Sequence, residues 1–302
     1  MTQQQRETVA RILHNSPVDL GGDVLEQREL FRQLVSANPV SDDVIAEPGT
    51  LGGVPAMSIE IAGAAPDGVV LYFHGGCFAV GSAQASVGLA ANLARKAGVR
   101  VVSVDYRLAP EHPYPAALDD ALAAYRALVD REQGAERIAV AGESAGANLA
   151  TAVMLAARED GGLPQPSCAV LFSPWADVTV PGRTHDAGLD PVINGDALRL
   201  RARDYLQGTD PLDGLVSPVH ADLTGLPPML IQAGSQEYLL DDAVRLAARA
   251  AADHVPVTLD VTPRVLHVFQ AFAALLDEGD EALARAGGFL RTHLADGTAD
   301  RA

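Results

Sequence analysis

The sequence predicts an α/β fold, in which a mostly parallel, twisted sheet carries helices on both faces. Short apolar runs without polar alternation recur along the chain, at residues 69–73, 101–104, 138–141, 169–172 and 229–233, and a further strand-like run lies at 257–261. Helix-like segments separate many of them, near residues 87–98, 115–130, 145–158 and 241–252. Strands that are apolar on both faces and alternate with helices are typical of a doubly wound sheet.

Two regions lie outside this alternation. Residues 1 to about 37 fit two amphipathic helices, because Pro17 and the pair Gly21-Gly22 interrupt them and the second has an apolar face of helical period. Residues 176–226 are rich in Pro and Gly and contain one helical segment, near 196–205. An excursion of that length between core strands is usually functional. A last helix closes the chain, with an apolar stripe at Leu283, Ala286, Leu290 and Leu294.

Composition excludes several classes of function. The 302 residues carry a formal net charge of −17, which argues against nucleic acid as a partner because phosphate binding needs clustered Lys and Arg. No stretch approaches the roughly 18 apolar residues that span a bilayer, so we expect no stable membrane association. The N-terminus lacks a basic start followed by an apolar run, so the expected location is cytoplasmic. Cys77 and Cys168 have no CxxC spacing, and no metal or organic cofactor is expected.

The strongest local signal is the run Gly142-Glu143-Ser144-Ala145-Gly146. It follows the apolar run 138–141 and precedes the helical segment 145–158, which is the strand–turn–helix setting of a G-x-S-x-G nucleophile elbow. The glycines leave room for a sharp turn that holds the serine hydroxyl above the sheet. Ser144 is therefore the candidate nucleophile.

A second motif, His74-Gly75-Gly76, directly follows the apolar run 69–73. A glycine-rich loop at this position can bring its backbone N–H groups to the oxygen of a substrate carbonyl. We expect the N–H groups of Gly75, Gly76 and Ala145 to form an oxyanion hole. The alternative is a structural turn capped by the histidine.

Between the two motifs lies Asp105-Tyr106-Arg107-Leu108-Ala109-Pro110-Glu111-His112-Pro113-Tyr114-Pro115, and with this run the chain resembles the hormone-sensitive-lipase-like (bacterial family IV) esterases. Those proteins carry HGGG, a DYRLAPEHPFPA-like stretch and GDSAGG. Here Cys77 replaces the third glycine, and Glu143 and Ala147 replace Asp and Gly. The resemblance implies an α/β-hydrolase catalytic domain at 46–302, cap helices at 1–45 and an additional cap segment at 176–215.

A serine nucleophile needs a base and a carboxylate that orients it, and α/β-hydrolases place them in the order Ser, acid, His. His267 follows the strand-like run 257–261 and matches the H-G-F or H-V-F motif of the family, so it is the expected base. For the acid, the resemblance aligns a D-x-L-x-D pattern on Leu239 and Asp241, which makes Glu237 the expected residue. Asp241 is the alternative, although Asp241 and Asp242 fit better as the N-cap and first turn of a helix.

These residues predict hydrolysis of short-chain carboxylic esters or lactones through an acyl-enzyme intermediate, with a small-molecule substrate as the partner. An amide, carbamate or peptide hydrolase would use the same triad, and a non-catalytic binding protein on the same fold is a weaker alternative. A homodimer is left open. Candidate walls of the substrate pocket, which could equally be core packing, are Leu30, Phe31, Leu34, Phe78 and Trp175.

Overall fold

The computed structural model describes residues 3–36, 39–181, 190–191 and 193–296. Within them, eight strands form one sheet: β1 (Val44–Leu51), β2 (Val54–Ile61), β3 (Val69–Phe73), β4 (Arg100–Val104), β5 (Ile138–Glu143), β6 (Cys168–Phe172), β7 (Met229–Gly234) and β8 (Val257–Thr262). Their spatial order is β1-β2-β4-β3-β5-β6-β7-β8. The six strands from β3 to β8 run parallel, whereas β2 is antiparallel to both β1 and β4.

The α/β fold with a mostly parallel sheet is confirmed. Each of the six parallel strands coincides with one of the six runs to within two residues. The sequence prediction lacked β1 and β2. Strand β1 lies at the sheet edge with most of its side chains exposed and therefore shows no apolar run. Strand β1 begins at Val44, next to the expected end of the cap segment at residue 45.

Eight helices occur in the described ranges: α1 (Gln3–His14), α2 (Val24–Ser36), α3 (Val87–Ala97), α4 (Ala116–Glu132), α5 (Ala145–Glu159), α6 (Gly195–Leu206), α7 (Leu240–Ala252) and α8 (Asp277–Asp296). Successive strand residues divide between two cores. Leu71 and Phe73 pack on the side of α4, α5 and α7, while Val70 and Tyr72 pack on the side of α3 and α8. This alternation explains why the central strands are apolar throughout.

The topology brings several distant loops to one edge of the sheet. Because the central strands are parallel, their carboxyl ends lie together, and the loops that leave them begin near His74, Ser144, Ser173, Ser235 and Pro263. In open α/β sheets, ligands bind at this edge. Helix α1 lies over part of it, where Val9 and Leu13 pack against a cluster that includes Leu266 and Phe272.

Among the residues that the structure describes, no helix is long and apolar enough to cross a bilayer. Within the same ranges, the His, Cys, Asp and Glu side chains form no group of three suited to a metal ion. Cys77 and Cys168 are buried free thiols.

Candidate active site

Ser144 occupies the sharp turn between β5 and α5. Its backbone has φ 55° and ψ −118°, in a region that non-glycine residues rarely adopt. The main chain holds this conformation, since the Ser144 N–H donates to the Phe172 carbonyl at 2.9 Å and the Trp175 N–H donates to the Ser144 carbonyl at 3.1 Å. A Cβ added to Gly146 would collide with the carbonyl oxygens of Phe73 and His74, so the turn requires glycine there.

The loop after β3 runs beside this turn. The Tyr106 ring stacks on His74 with 4.3 Å between ring centroids, and the Tyr106 O–H donates to the His74 carbonyl at 2.7 Å. Gly76 has φ 117°, and a Cβ there would meet the Val80 carbonyl. Gly75 and Gly76 line the same cavity as Ser144, and Ala145 begins α5 directly after the serine.

Cys77 takes the place that the family's third glycine would occupy. It keeps a glycine-like backbone, with φ 54°, and its side chain lines the cavity. Burial raises the pKa of the Cys77 thiol to about 12. The group is therefore a neutral thiol at physiological pH, as expected for a cysteine that is not a nucleophile.

His267 and Glu237 face each other across the end of the sheet. Nδ1 of His267 lies 3.7 Å from Oε1 of Glu237, and neither atom has a hydrogen-bond partner among the described residues. This separation is within ion-pair range but longer than a hydrogen bond. Burial lowers the pKa of His267, but the nearby acids, Glu237 first and then Asp190 and Glu143, together outweigh this effect, so the pKa is raised.

The other oxygen of Glu237 is fixed by two donors. Oε2 accepts from the Ser173 hydroxyl at 2.8 Å and from the Gly234 N–H at 2.7 Å. The Ser173 oxygen in turn accepts from the Val268 N–H at 3.1 Å, which ties the acid to the loop of His267. Sequence reasoning missed Ser173; the available signal was a serine directly after the apolar run 169–172.

The structure also gives the positions of Asp241 and Asp242, the two aspartates that follow Glu237 in the chain. The residue at the N-cap position of α7 is Leu239, so the expectation that Asp241 caps this helix is wrong, whereas Asp242 lies in the first turn as expected, together with Asp241. Asp242 is buried and accepts from the backbone N–H groups of Ala176 and Asp177, each at 2.9 Å. The helix begins at Leu240, one residue before the expected segment 241–252.

Ser144 and His267 line a single cavity of about 110 Å³. Phe31 and Leu34 lie on its wall, as expected for pocket residues. The other three candidates, Leu30, Phe78 and Trp175, lie in or against the surrounding core instead, with the Phe78 ring stacked on Tyr205 at 3.9 Å. Sequence reasoning missed further wall residues: Leu13, Leu20, Val35, Leu89, Asp190, Ile193, Val268, Ala271 and Phe272.

The chain is similar to several known proteins. A family model described as the α/β hydrolase fold matches residues 70–271. An acetyl-hydrolase of Streptomyces hygroscopicus is 40% identical over 292 residues, covering 89% of this chain and 97% of the relative. An esterase of Acinetobacter venetianus is 36% identical, covering 85% of each chain. The crystal structure of an esterase from the bacterial hormone-sensitive lipase family has a TM-score of 0.93 at 39% identity, covering 97% of this chain and 99% of that one.

Proposed function

The chain belongs to the hormone-sensitive-lipase-like esterases of the α/β-hydrolase fold, and we propose that it hydrolyses small, neutral carboxylic esters with Ser144 as the nucleophile. Its relatives are named esterase, carboxylesterase and acetyl-hydrolase, and the chain is a hydrolase of the carboxylesterase class. One observation supports the choice of site. Ser144, His267 and the glycine loop line the same apolar cavity.

In the proposed reaction, His267 takes the proton of Ser144 as the serine oxygen attacks the ester carbonyl. Glu237 holds the imidazole in the correct tautomer and stabilises the imidazolium. The backbone N–H groups of Gly76 and Ala145 stabilise the oxyanion, a contribution of about 3 kcal/mol for each donor. Gly75, the third expected donor, packs on Glu143 and Ser144. His267 then protonates the leaving alcohol, and water hydrolyses the acyl-enzyme.

The cavity favours short acyl groups or compact lactones. An apolar cavity of about 150 Å³ holds a benzene molecule, so a cavity of about 110 Å³ fits a small acyl or alcohol group. Glu143 and Asp190 are on its wall, and the chain carries a net charge of −17, so anionic substrates are disfavoured. We propose that α1, α2 and the segment 176–215 form the cap that limits substrate size; residues 182–189 and 192 of that segment lie outside the described residues. The amide-hydrolase and binding-protein alternatives have no observation in their favour.

Pre-steady-state hydrolysis of p-nitrophenyl acetate tests the nucleophile. The wild-type protein should release a burst of p-nitrophenol equal to the enzyme concentration, and a phosphonate ester should label Ser144 alone. Ser144→Ala should lower kcat by about 10⁴-fold or more and abolish the burst. Activity that survives in Ser144→Ala would exclude the proposed site.

A matched control is Ser103→Ala. Ser103 is a buried serine on β4 whose hydroxyl has no hydrogen-bond partner within the described residues, and its variant should keep the burst. A panel of p-nitrophenyl esters from acetate to palmitate, with small lactones, then tests the size limit, which is wrong if the long chains react fastest. The cytoplasmic location and a homodimer stay predictions, to be checked by fractionation and sedimentation.

A further inference from the structure

The proposed triad leaves one buried acid of the cavity wall without a role. Glu143 ends β5 and directly precedes Ser144, and it is 8% exposed. Its Oε2 accepts a hydrogen bond from the Tyr72 hydroxyl, and its Oε1 accepts one from the Ser86 hydroxyl at 3.3 Å. Both donors belong to other elements, since Tyr72 lies on β3 and Ser86 directly precedes α3. Hydrogen bonds from two different elements therefore hold the Glu143 carboxylate in place.

The same side chain supports the glycine loop. A Cβ placed on Gly75 would lie 3.1 Å from Cγ of Glu143 and 3.3 Å from Cβ of Ser144, so Gly75 packs directly on the glutamate and the nucleophile. The backbone N–H of Gly75 also lowers the pKa of Glu143, which indicates that it lies near the carboxylate. Gly75 is therefore held by Glu143 immediately before Gly76, whose N–H faces the substrate in the proposed reaction.

We propose that Glu143 is a positioning residue: its carboxylate, fixed by Tyr72 and Ser86, holds Gly75 and thereby sets the oxyanion loop against Ser144. The inference rests on the proposed function and adds a residue that touches neither the base nor the substrate carbonyl. Glu143 acts through the loop, so its loss should lower turnover more than substrate binding.

The contacts identify the ionised carboxylate as the form that holds the loop. The Tyr72 and Ser86 hydroxyls both donate to Glu143, and a protonated acid could accept fewer hydrogen bonds. Burial raises the pKa of Glu143 to about 7, while Tyr72, the Gly75 N–H and Ser86 oppose this rise. The Tyr72 phenol stays protonated as a donor, because burial and the adjacent glutamate raise its pKa well above the usual value.

The other ionisable groups that interact with Glu143 are Tyr106, on the loop after β4, and His267. Tyr106 is also kept protonated by burial. Deprotonated His267 is the base of the proposed reaction. Two groups, Glu143 and His267, must therefore lose a proton for full activity, and kcat/KM should fall with a slope of about two at low pH.

Glu143→Gln is the central variant, since it preserves size but replaces one acceptor oxygen by an amide donor. We expect kcat to fall about 10- to 100-fold while KM changes less than about threefold. The acid limb of kcat/KM should lose one ionisation and show a slope of about one. Its midpoint should also move to lower pH, because Glu143 raises the pKa of His267 and that effect is removed.

Tyr72→Phe keeps the Glu143 carboxylate and removes one of its hydrogen-bond donors. This variant tests the proposal independently if Glu143→Gln does not fold. The loss of a donor to the ionised form raises the pKa of Glu143, so the acid limb should move to higher pH. The matched control is Tyr125→Phe, which removes a buried hydroxyl bonded to the Pro164 carbonyl and should leave both the rate and the pH profile unchanged.

Phosphonate titration of Ser144 in every variant separates the two proposals. If wild-type Ser144 is not labelled, the proposed function fails, whatever Glu143 does. If Ser144 is labelled but folded Glu143→Gln keeps kcat within about twofold of wild type, the role of Glu143 is refuted. An unchanged slope in that variant, or an acid limb that does not move in Tyr72→Phe, refutes it equally.

Discussion

The nucleophile turn and the N-terminal helices meet at the same cavity but are held in different ways. Backbone hydrogen bonds fix Ser144 between β5 and α5, and Gly146 packs so closely on β3 that no larger residue fits. Helix α2, in contrast, is largely exposed or half-buried and is tied down by a side chain. Arg28 donates to the carbonyls of Ala79 and Ala109 and pairs with Glu111.

The preceding segment is attached in the same manner. Arg201 of α6 donates to the carbonyls of Leu20 and Gly22 at 2.8 Å, and Arg6 of α1 pairs with Glu278 of α8. A backbone-defined turn tolerates few substitutions, whereas helices attached by side chains can exchange apolar residues without disturbing the sheet. On our proposal, the reaction takes place at the sheet edge, and the attached helices determine the choice of substrate.

The largest effect on kcat among these comparisons should come from replacing Glu237, the proposed acid at the edge of the sheet. Glu237→Gln preserves the size of the side chain but removes the charge that faces Nδ1 of His267, so the imidazole tautomer and the imidazolium lose their support. We expect kcat to fall by about 10³- to 10⁴-fold with little change in KM. The remaining activity should have its acid limb at lower pH, because Glu237 raises the pKa of His267.

Asp241→Asn is the matched control and decides between the two candidate acids. Asp241 lies in the first turn of α7, and its amide variant should retain kcat within about twofold of wild type. Steady-state kinetics over a pH series give the kcat, the KM and the acid limb of both variants. The reverse outcome, with Asp241→Asn inactive and Glu237→Gln active, would assign the acid to Asp241.

Local patterns explain why the sheet side was predicted well from sequence. The run around Ser144 and the glycine loop after β3 are each encoded within a few consecutive residues, and the parallel topology brings their loops to one edge. The relation of Glu143 to Tyr72 and Ser86 has no such local signal. Those partners stand 71 and 57 positions away in the chain, and only the packed sheet brings them together.

The cap side was predicted less well, for a related reason. Helical periodicity identified the apolar face of α2 but not which of its residues would reach the cavity, and Leu30 lies against the core while Phe31 lines the cavity wall. The orientation of an attached helix depends on distant partners such as the carbonyls of Ala79 and Ala109. Strand β1 escaped prediction because an exposed edge strand needs no apolar run.

A smaller effect, on selectivity, should follow from Phe31→Ala. Removing this ring enlarges the cavity, and each additional methylene accommodated in an apolar pocket changes discrimination by roughly 1–3 kcal/mol. We expect kcat/KM for p-nitrophenyl octanoate, relative to the acetate, to rise about tenfold. The control is Leu25→Ala on the same helix, where the side chain is 63% exposed. An unchanged acyl-chain profile in Phe31→Ala would mean that α2 does not limit substrate size.

The smallest effect should come from loosening the attachment of α2. Arg28→Met retains the aliphatic length but removes the hydrogen bonds to Ala79 and Ala109 and the pair with Glu111. The arginine and Glu111 side chains are 27% and 46% exposed, so solvent weakens the pair, and the free energy of unfolding should fall by about 1 kcal/mol. Urea unfolding measures this loss.

Kinetics of the same variant test the division between the two regions. Ala79 belongs to the loop that follows Gly76, yet the N–H groups of Ala79 and Val80 bond to the Gly76 carbonyl at 3.0 and 2.9 Å without help from Arg28. The loop should therefore keep its shape, with KM raised a few-fold and kcat unchanged. Arg32→Met, which removes only an exposed pair with Glu29 inside α2, should change neither constant. A fall in kcat for Arg28→Met as large as that for Glu237→Gln would show that the helix, and not the sheet edge alone, sets the reactive geometry.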